Sequence, residues 1–279
     1  MFKKYFLTAC MLLTASAASA NEFYATAPLA SPHGTLIRNI LAVTDYQNFQ
    51  AKQPSGCGEG VSLFESDKNP VAIVWSNSAY RSTHRTNQNC VIDTKAATPI
   101  MEVRMPYQLC VKPEFDWEAQ KGKKLTFGNT KFNPRKLHNE NMNNNKLGIE
   151  FRTVTFGASS AIANGIIAGD IDVGLIAYGD AIGPLEKGSI KCTHSTGDYS
   201  HGEVPLIDFI GPGYASSFQI RMSVWTRNMT PEQNAEFIKK LQPLKARLEK
   251  QAMNGIKIGM TQDDVDDFIK DAKSLEFTE

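Results

Sequence analysis

The sequence predicts an α/β protein built on parallel sheets. Three observations carry that reading. Short β-branched or apolar runs alternate with segments of helical spacing along the chain. Residues 150–192, EFRTVTFGASSAIANGIIAGDIDVGLIAYGDAIGPLEKGSIKC, run strand, turn, helix, strand, helix, strand. Three loops of small residues, 31–35, 76–78 and 157–160, follow strand-like runs, where such sheets collect their ligands.

Taken in order, the chain opens with MFKKYFLTACMLLTASAASA. Lys3 and Lys4 precede an apolar stretch, and Ala18-Ser19-Ala20 is an A-x-A cleavage site. This is a secretory signal cut after Ala20, so the mature product is exported. Leu7-Thr8-Ala9-Cys10 imitates a lipoprotein box, but cleavage there leaves almost no apolar core to the signal. Removing the 20-residue signal from 279 leaves 259 residues, enough for one large domain or two lobes. They carry 28 basic against 29 acidic side chains and no basic run, so nothing in the charge argues for a nucleic-acid partner, and none is expected. No other stretch reaches the roughly 18 apolar residues of a membrane span.

Cys57, Cys90, Cys110 and Cys192 remain after the signal. An even count in an exported chain favours two disulfides, with three pairings open. Cys57 and Cys90 share polar, loop-like surroundings, and Cys110 and Cys192 end strand-like runs. The favoured pairing is therefore 57–90 and 110–192, with buried free thiols as the alternative for the second pair. No C-x-x-C pair supports a metal site, and no cofactor is expected.

Residues 23–27 read as a strand and 28–34 as a turn-rich loop. Thr35 is placed to cap a helix through Ile37, Ile40 and Leu41. Residues 50–60 read as a loop, 61–64 and 71–75 as two strands, and 80–93 as surface loop. Strands follow at 100–105 and 107–111, a short charged helix at 116–124, a strand at 125–127 and an exposed helix at 134–143. Residues 194–204 read as a polar loop and 218–225 as a long strand. Thr230, Pro231 and Gln233 open a helix over 231–253 with a capping box. Thr261 caps a last helix, 262–275.

In the central unit, the turn Gly157-Ala158-Ser159-Ser160 joins a strand to a helix that ends at Gly169. Such a junction leaves backbone N–H groups free at the positive end of the helix dipole. That suits a carboxylate, a phosphate or an oxyanion.

Residues 100–279 resemble the substrate-binding proteins of tripartite tricarboxylate transporters, the TctC or Bug family. The likeness rests on the strand–turn–helix 153–161 and on Gly169-Asp170-Ile171-Asp172-Val173. Asp180-Ala181 and 185–191 (LEKGSIK) follow, then Pro212-Gly213-Tyr214, Met229-Thr230-Pro231 and Thr261-x-x-Asp264. The resemblance implies a type II periplasmic binding protein, a Venus flytrap whose lobes are joined by two crossing strands. The crossings are expected near 110–112 and 219–224. Lobe one would be 21–111 with 225–279, and lobe two 112–224.

The resemblance further implies a monomer in the periplasm that holds a small organic anion, a carboxylate, for membrane transporter subunits. Gly157, Ala158, Ser159 and Ser160 match the family's donor turn. Ser31, His33, Gly34 and Thr35, with Ser76, Asn77 and Ser78, would form the opposing wall. Asn129 and Thr130, then Tyr178 and Asp180, would complete the second lobe's side. The first lobe departs from the family in two places. Pro32-His33 stands where a Gly-rich turn is usual, and 61–64 reaches 71–75 without the usual intervening helix.

One enzymatic rival stands beside this. GASSA is close to the G-x-S-x-G nucleophile elbow, with Asp170, Asp172, Asp180, His194 and His201 downstream in α/β-hydrolase order. Ala161 replaces the elbow's last glycine, and no Gly-rich oxyanion loop precedes it, so Ser159 is read as a donor to an anion. His194 and His201 are read as surface-loop residues. Arg81 and Arg85 are placed to meet a second carboxylate or solvent. Trp75 and Trp225 are read as core or hinge packing.

Overall fold

The computed structural model describes residues 21–29, 31–44, 49–79, 82–83, 87–130, 142–197, 202–210, 219–251 and 253–274. The signal segment, Arg81, Arg85, His201, Pro212-Gly213-Tyr214 and most of the helix expected over 134–143 lie outside them. The elements in chain order begin β1 (Asn21–Ala25), α1 (Pro32–Thr44), β2 (Phe49–Lys52), α2 (Cys57–Ser66), β3 (Val71–Ser76) and β4 (Thr98–Met105). Next come β5 (Tyr107–Val111), β6 (Lys124–Thr130), β7 (Glu150–Phe156), α3 (Ser159–Ala168), β8 (Val173–Ala177), α4 (Tyr178–Glu186) and β9 (Lys191–Ser195). The chain continues through β10 (Val204–Pro205), α5 (Leu206–Ile210), β11 (Ile220–Arg227), α6 (Pro231–Leu241), α7 (Leu244–Glu249), β12 (Asn254–Ile258) and α8 (Gln262–Ser274).

Two six-stranded sheets result, ordered β12-β4-β11-β3-β1-β2 and β10-β9-β5-β8-β6-β7. In the first, β1, β2 and β3 run parallel, joined through α1 and α2. In the second, β6, β7 and β8 run parallel, with α3 leading into β8. All of β3 and all of β8 are buried, as strands covered on both faces must be. Trp75 and Trp225 are both wholly buried and meet edge to face at 6.2 Å between ring centroids, so both belong to the core.

Local chemistry sets the ends of several helices. Gly169 ends α3 in the left-handed region, at φ 85°, a conformation that costs a residue with a Cβ. Thr230 caps α6: its hydroxyl accepts the Gln233 N–H at 3.2 Å, and the Gln233 side chain accepts the Thr230 N–H at 2.7 Å. Pro231 takes the first helical position. The Asp264 carboxylate and the Thr261 hydroxyl exchange the same kind of bonds at the start of α8.

Five expectations change. Residues 61–64 are not a strand: Val61 and Phe64 sit one turn apart inside α2 and bury the same helical face. A four-residue apolar run does not separate strand from helix by periodicity alone. The first sheet therefore has a helix between β2 and β3, which the sequence reading left out. Secondly, α1 begins at Pro32, not after Thr35, because proline's fixed φ suits a first helical turn. Thirdly, the helix expected over 231–253 divides at Pro243 into α6 and α7, and β12 follows. Only a 3-10 turn, Glu118–Gln120, forms where a charged helix was expected. Lastly, His194 stands on β9 rather than in a polar loop.

The sheets also place the crossings differently. β5, expected in the first lobe up to residue 111, hydrogen-bonds β8 and β9 of the second sheet. β11, expected to cross over 219–224, pairs along its length with β3 and β4 of the first. The chain thus leaves the first sheet at Pro106 and is back in it by Ile220.

Both disulfides form in the favoured pairing. Cys57–Cys90 ties the start of α2 to the segment behind β3. Cys110–Cys192 links directly opposed residues of β5 and β9.

Candidate functional site

Strand register decides which loops can meet. In the second sheet Thr130 lies opposite Phe156 and Ala177 lies opposite Tyr107, so β6, β7 and β8 end together beside the start of β5. In the first sheet Ala25 pairs with Val74, Ser76 with Met222, and Met105 with Ile220. β1 and β3 therefore end where β4 ends and β11 begins. The carboxyl edges of both sheets flank the Pro106 crossing, the position where open α/β sheets bind ligands.

The second lobe supplies the better-defined wall. Ala158 precedes α3 in extended conformation and makes no side-chain cap, so among the described residues the first turn of α3 has no capping side chain. The contrast is α6, whose cap consumes these donors. Gly157, Ala158 and Ser160 are exposed. A Cβ on Gly157 would meet nothing within 4 Å, so its backbone faces open space. Ser159 turns inward: its hydroxyl accepts the Ala177 N–H at 2.7 Å and donates to Asp180. Burial raises the Asp180 carboxyl above its ordinary value, opposed by that serine bond. Tyr178 is buried, and its N–H donates to the Pro106 carbonyl at 3.0 Å. Asn129 and Thr130 are buried at the end of β6, where the Asn129 side-chain oxygen accepts the Thr130 N–H at 2.9 Å.

The first lobe's wall is more divided. His33 and Gly34 are buried in the first turn of α1, and Thr35 receives a bond from Arg38. Gly34 is needed for close approach, since a Cβ there would overlap the Leu29 backbone. The Ser76 and Ser78 hydroxyls pair with each other at 2.9 Å. Asn77 is fully engaged elsewhere. Its side-chain NH2 donates to the Gln219 carbonyl at 3.2 Å and to Asp271 at 3.0 Å, and its oxygen accepts the Arg221 N–H. Asn77 therefore fastens the end of β3 to the returning crossing, although its position in a loop suggested ligand contact.

Two links the sequence did not suggest join the lobes. Gln219 donates to the Thr196 carbonyl at 2.7 Å, next to β9. Gln251 accepts from Asn39 of α1 at 2.6 Å, and its carbonyl lies against Gly179 of α4. Beneath the crossing, the buried Arg221 pairs with Glu102 at 2.7 Å and Asp267 at 2.9 Å, fixing β11 to β4 and α8.

Among the described residues no histidine partners the Ser159 hydroxyl. Its partners are Ala177 and Asp180. The His194 Nδ1 pairs with the Thr193 hydroxyl at 2.9 Å, and its ring packs against Trp117 and Phe209. Burial brings its pKa down to about 4, with Asp208 opposing. No group of three His, Cys, Asp or Glu side chains among the described residues is placed to hold a metal ion. An open surface groove of about 910 Å³ beside α8, lined by Lys95, Trp225 and Lys270, lies toward the other edge of the first sheet.

No protein-family model and no curated protein matches the chain by sequence. Solved structures match its fold almost end to end. An R. palustris protein solved with adipate aligns at TM-score 0.70 and 14% identity, over 94% of this chain and 98% of its own. MatC from Rhodopseudomonas palustris with bound malate aligns at 0.65 and 12%, over 94% and 99%. A TctC solute-binding protein from Polaromonas aligns at 0.61 and 13%, over 92% and 96%. The resemblance to TctC-type proteins therefore holds as a shared fold, including the first lobe.

Proposed function

We propose that this protein is a periplasmic solute-binding protein that captures a small organic anion, a carboxylate, and presents it to a membrane transporter of the tripartite tricarboxylate type. It catalyses no reaction and acts as a monomer. The lobes divide as the sheets do, 21–105 with 220–274 against 107–210, and the ligand lies between them. The observation that carries this reading is the uncapped start of α3 at Gly157, Ala158, Ser159 and Ser160, held beside the Pro106 crossing. Free N–H groups at a helix start favour an anion. The malate and adipate carried by structures of the same fold support the ligand class. A ligand that touches both walls favours closure by its differential affinity for the closed state.

Thermal-shift screening of the mature protein against carboxylates, including malate and adipate, tests this. A ligand of the native state stabilises by RT ln(1 + [L]/Kd), about 2.7 kcal/mol at a hundredfold excess over Kd. Saturable stabilisation by one carboxylate class is expected. A flat response across the panel at millimolar concentrations sinks the reading.

A further inference from the structure

We propose that His33 takes up a proton when the anion binds, so that an imidazolium balances the ligand's charge and mild acidification tightens capture. This rests on the carboxylate reading of the cleft.

His33 is the second residue of α1. His33, Ile37, Ile40 and Thr44 recur at helical spacing and are all buried, so they share the face packed on the first sheet. Helical side chains lean toward the N-terminus. The imidazole is therefore carried toward the edge where β1 and β3 end and the chain crosses at Pro106. It is 6% exposed, yet neither Nδ1 nor Nε2 has a hydrogen-bond partner among the described residues. The Ser31 hydroxyl, two residues earlier at the same helix start, is also buried without one. Buried polar groups are ordinarily paired. Two orphaned groups at one helix N-terminus, beside a crossing, mark a place that a polar ligand completes.

The charges around α1 do not supply the partner. α1 packs on β1, β2, β3, α6 and α7. β1 carries Tyr24 and Glu22, and β2 carries Lys52, which pairs with Glu22 at 3.4 Å. β3 carries no ionisable group. α6 carries Glu232, Glu236, Lys239 and Lys240, and α7 carries Lys245, Arg247 and Glu249. On α1 itself, Arg38 is bound to the Leu29 carbonyl. None of these shifts His33: burial alone lowers its pKa, to about 4. The imidazole is therefore neutral at pH 7 in this state. A carboxylate brought beside it favours the charged form and raises that pKa. The proton comes from solvent, the ligand stays ionised, and no covalent bond in either partner changes.

Isothermal titration of the mature protein with malate and with adipate, in two buffers of different ionisation enthalpy, reads the protons taken up on binding. A neighbouring carboxylate moves a pKa by about 1–3 units, so up to about half a proton at pH 7, rising toward one near pH 6, is expected. Affinity should be nearly flat above pH 8 and rise, by up to about tenfold per pH unit, as pH falls from 7 toward 5, as linkage to one proton requires. His33→Gln keeps an N–H donor but does not titrate, so its binding should show no proton uptake and no pH slope. Imidazole ¹⁵N shifts of the unmutated protein give a second reading, neutral when free and charged at saturating ligand. Binding without proton uptake, or uptake that survives in His33→Gln, overturns the proposal and leaves the carboxylate reading standing. Absence of any binding heat with both anions and the rest of the carboxylate panel overturns both.

Discussion

The Ser159 hydroxyl accepts the Ala177 amide at 2.7 Å, across 18 residues of chain, and donates to Asp180. One side chain thereby braces the first residue of α3 against the last of β8 and the first turn of α4. A serine held by those two bonds positions two helix starts.

Ser159→Ala should leave the Ala177 N–H without its acceptor and the Asp180 carboxyl without its donor. A lost buried partner costs about 1–3 kcal/mol. Denaturant titration should show a stability loss of that order, and calorimetry a weaker affinity for the anion. Hydrolysis of a model ester should be equal in the two proteins.

Gly157→Leu should separate binding from folding. The first added carbon, a Cβ, meets nothing within 4 Å, so stability should stay within about 0.5 kcal/mol. Anion affinity should fall tenfold or more, because the side chain obstructs approach to the uncapped α3 start. An unchanged dissociation constant would place the ligand elsewhere.

Asn77→Ala should act through the crossing. It removes the bonds to Gln219, Asp271 and Arg221 from a residue only 3% exposed. A cost of about 2–3 kcal/mol is expected from the buried groups left unpaired. Small-angle scattering without ligand should report a wider spread of lobe arrangements.

His33 makes a prediction for the ligand-free protein. Its folded pKa of about 4 lies below the unfolded value of 6.5. The unfolded chain therefore binds more protons between those values, and stability falls as pH drops from 6.5 toward 4. The slope contributed is up to about 1.4 kcal/mol per pH unit. His33→Gln should flatten urea-midpoint against pH over that window by about one proton.

Replacing Cys110 and Cys192 together by serine should cost about 2–5 kcal/mol, since the bridge closes a long loop between residues 82 apart. The measurement is the thermal midpoint of the double variant against the parent.

Much of this was legible in local sequence. β3 and β8 announce themselves as continuous apolar runs. Gly169 and the Thr230–Gln233 pair mark helix ends by chemistry that acts over a few residues. The cysteine surroundings favoured both bridges, and the order of small motifs from 150 onward pointed to the TctC fold. Residues 61–64 misled because four apolar residues fit either period, and the helix became visible only with its neighbours.

The tertiary structure decided what each polar side chain does. Asn77 was expected on the ligand wall, and its side chain bonds the Gln219 carbonyl, 142 residues away. His194 looked solvent-facing and packs against Trp117 and Phe209. His33 looked like a loop residue and is a buried, unpartnered imidazole in a helix. The physical reason is one of range. Backbone conformation and caps are set by neighbours within a turn or two. The partner of a buried polar group is set by strand register between segments far apart, and only the assembled sheets fix that register.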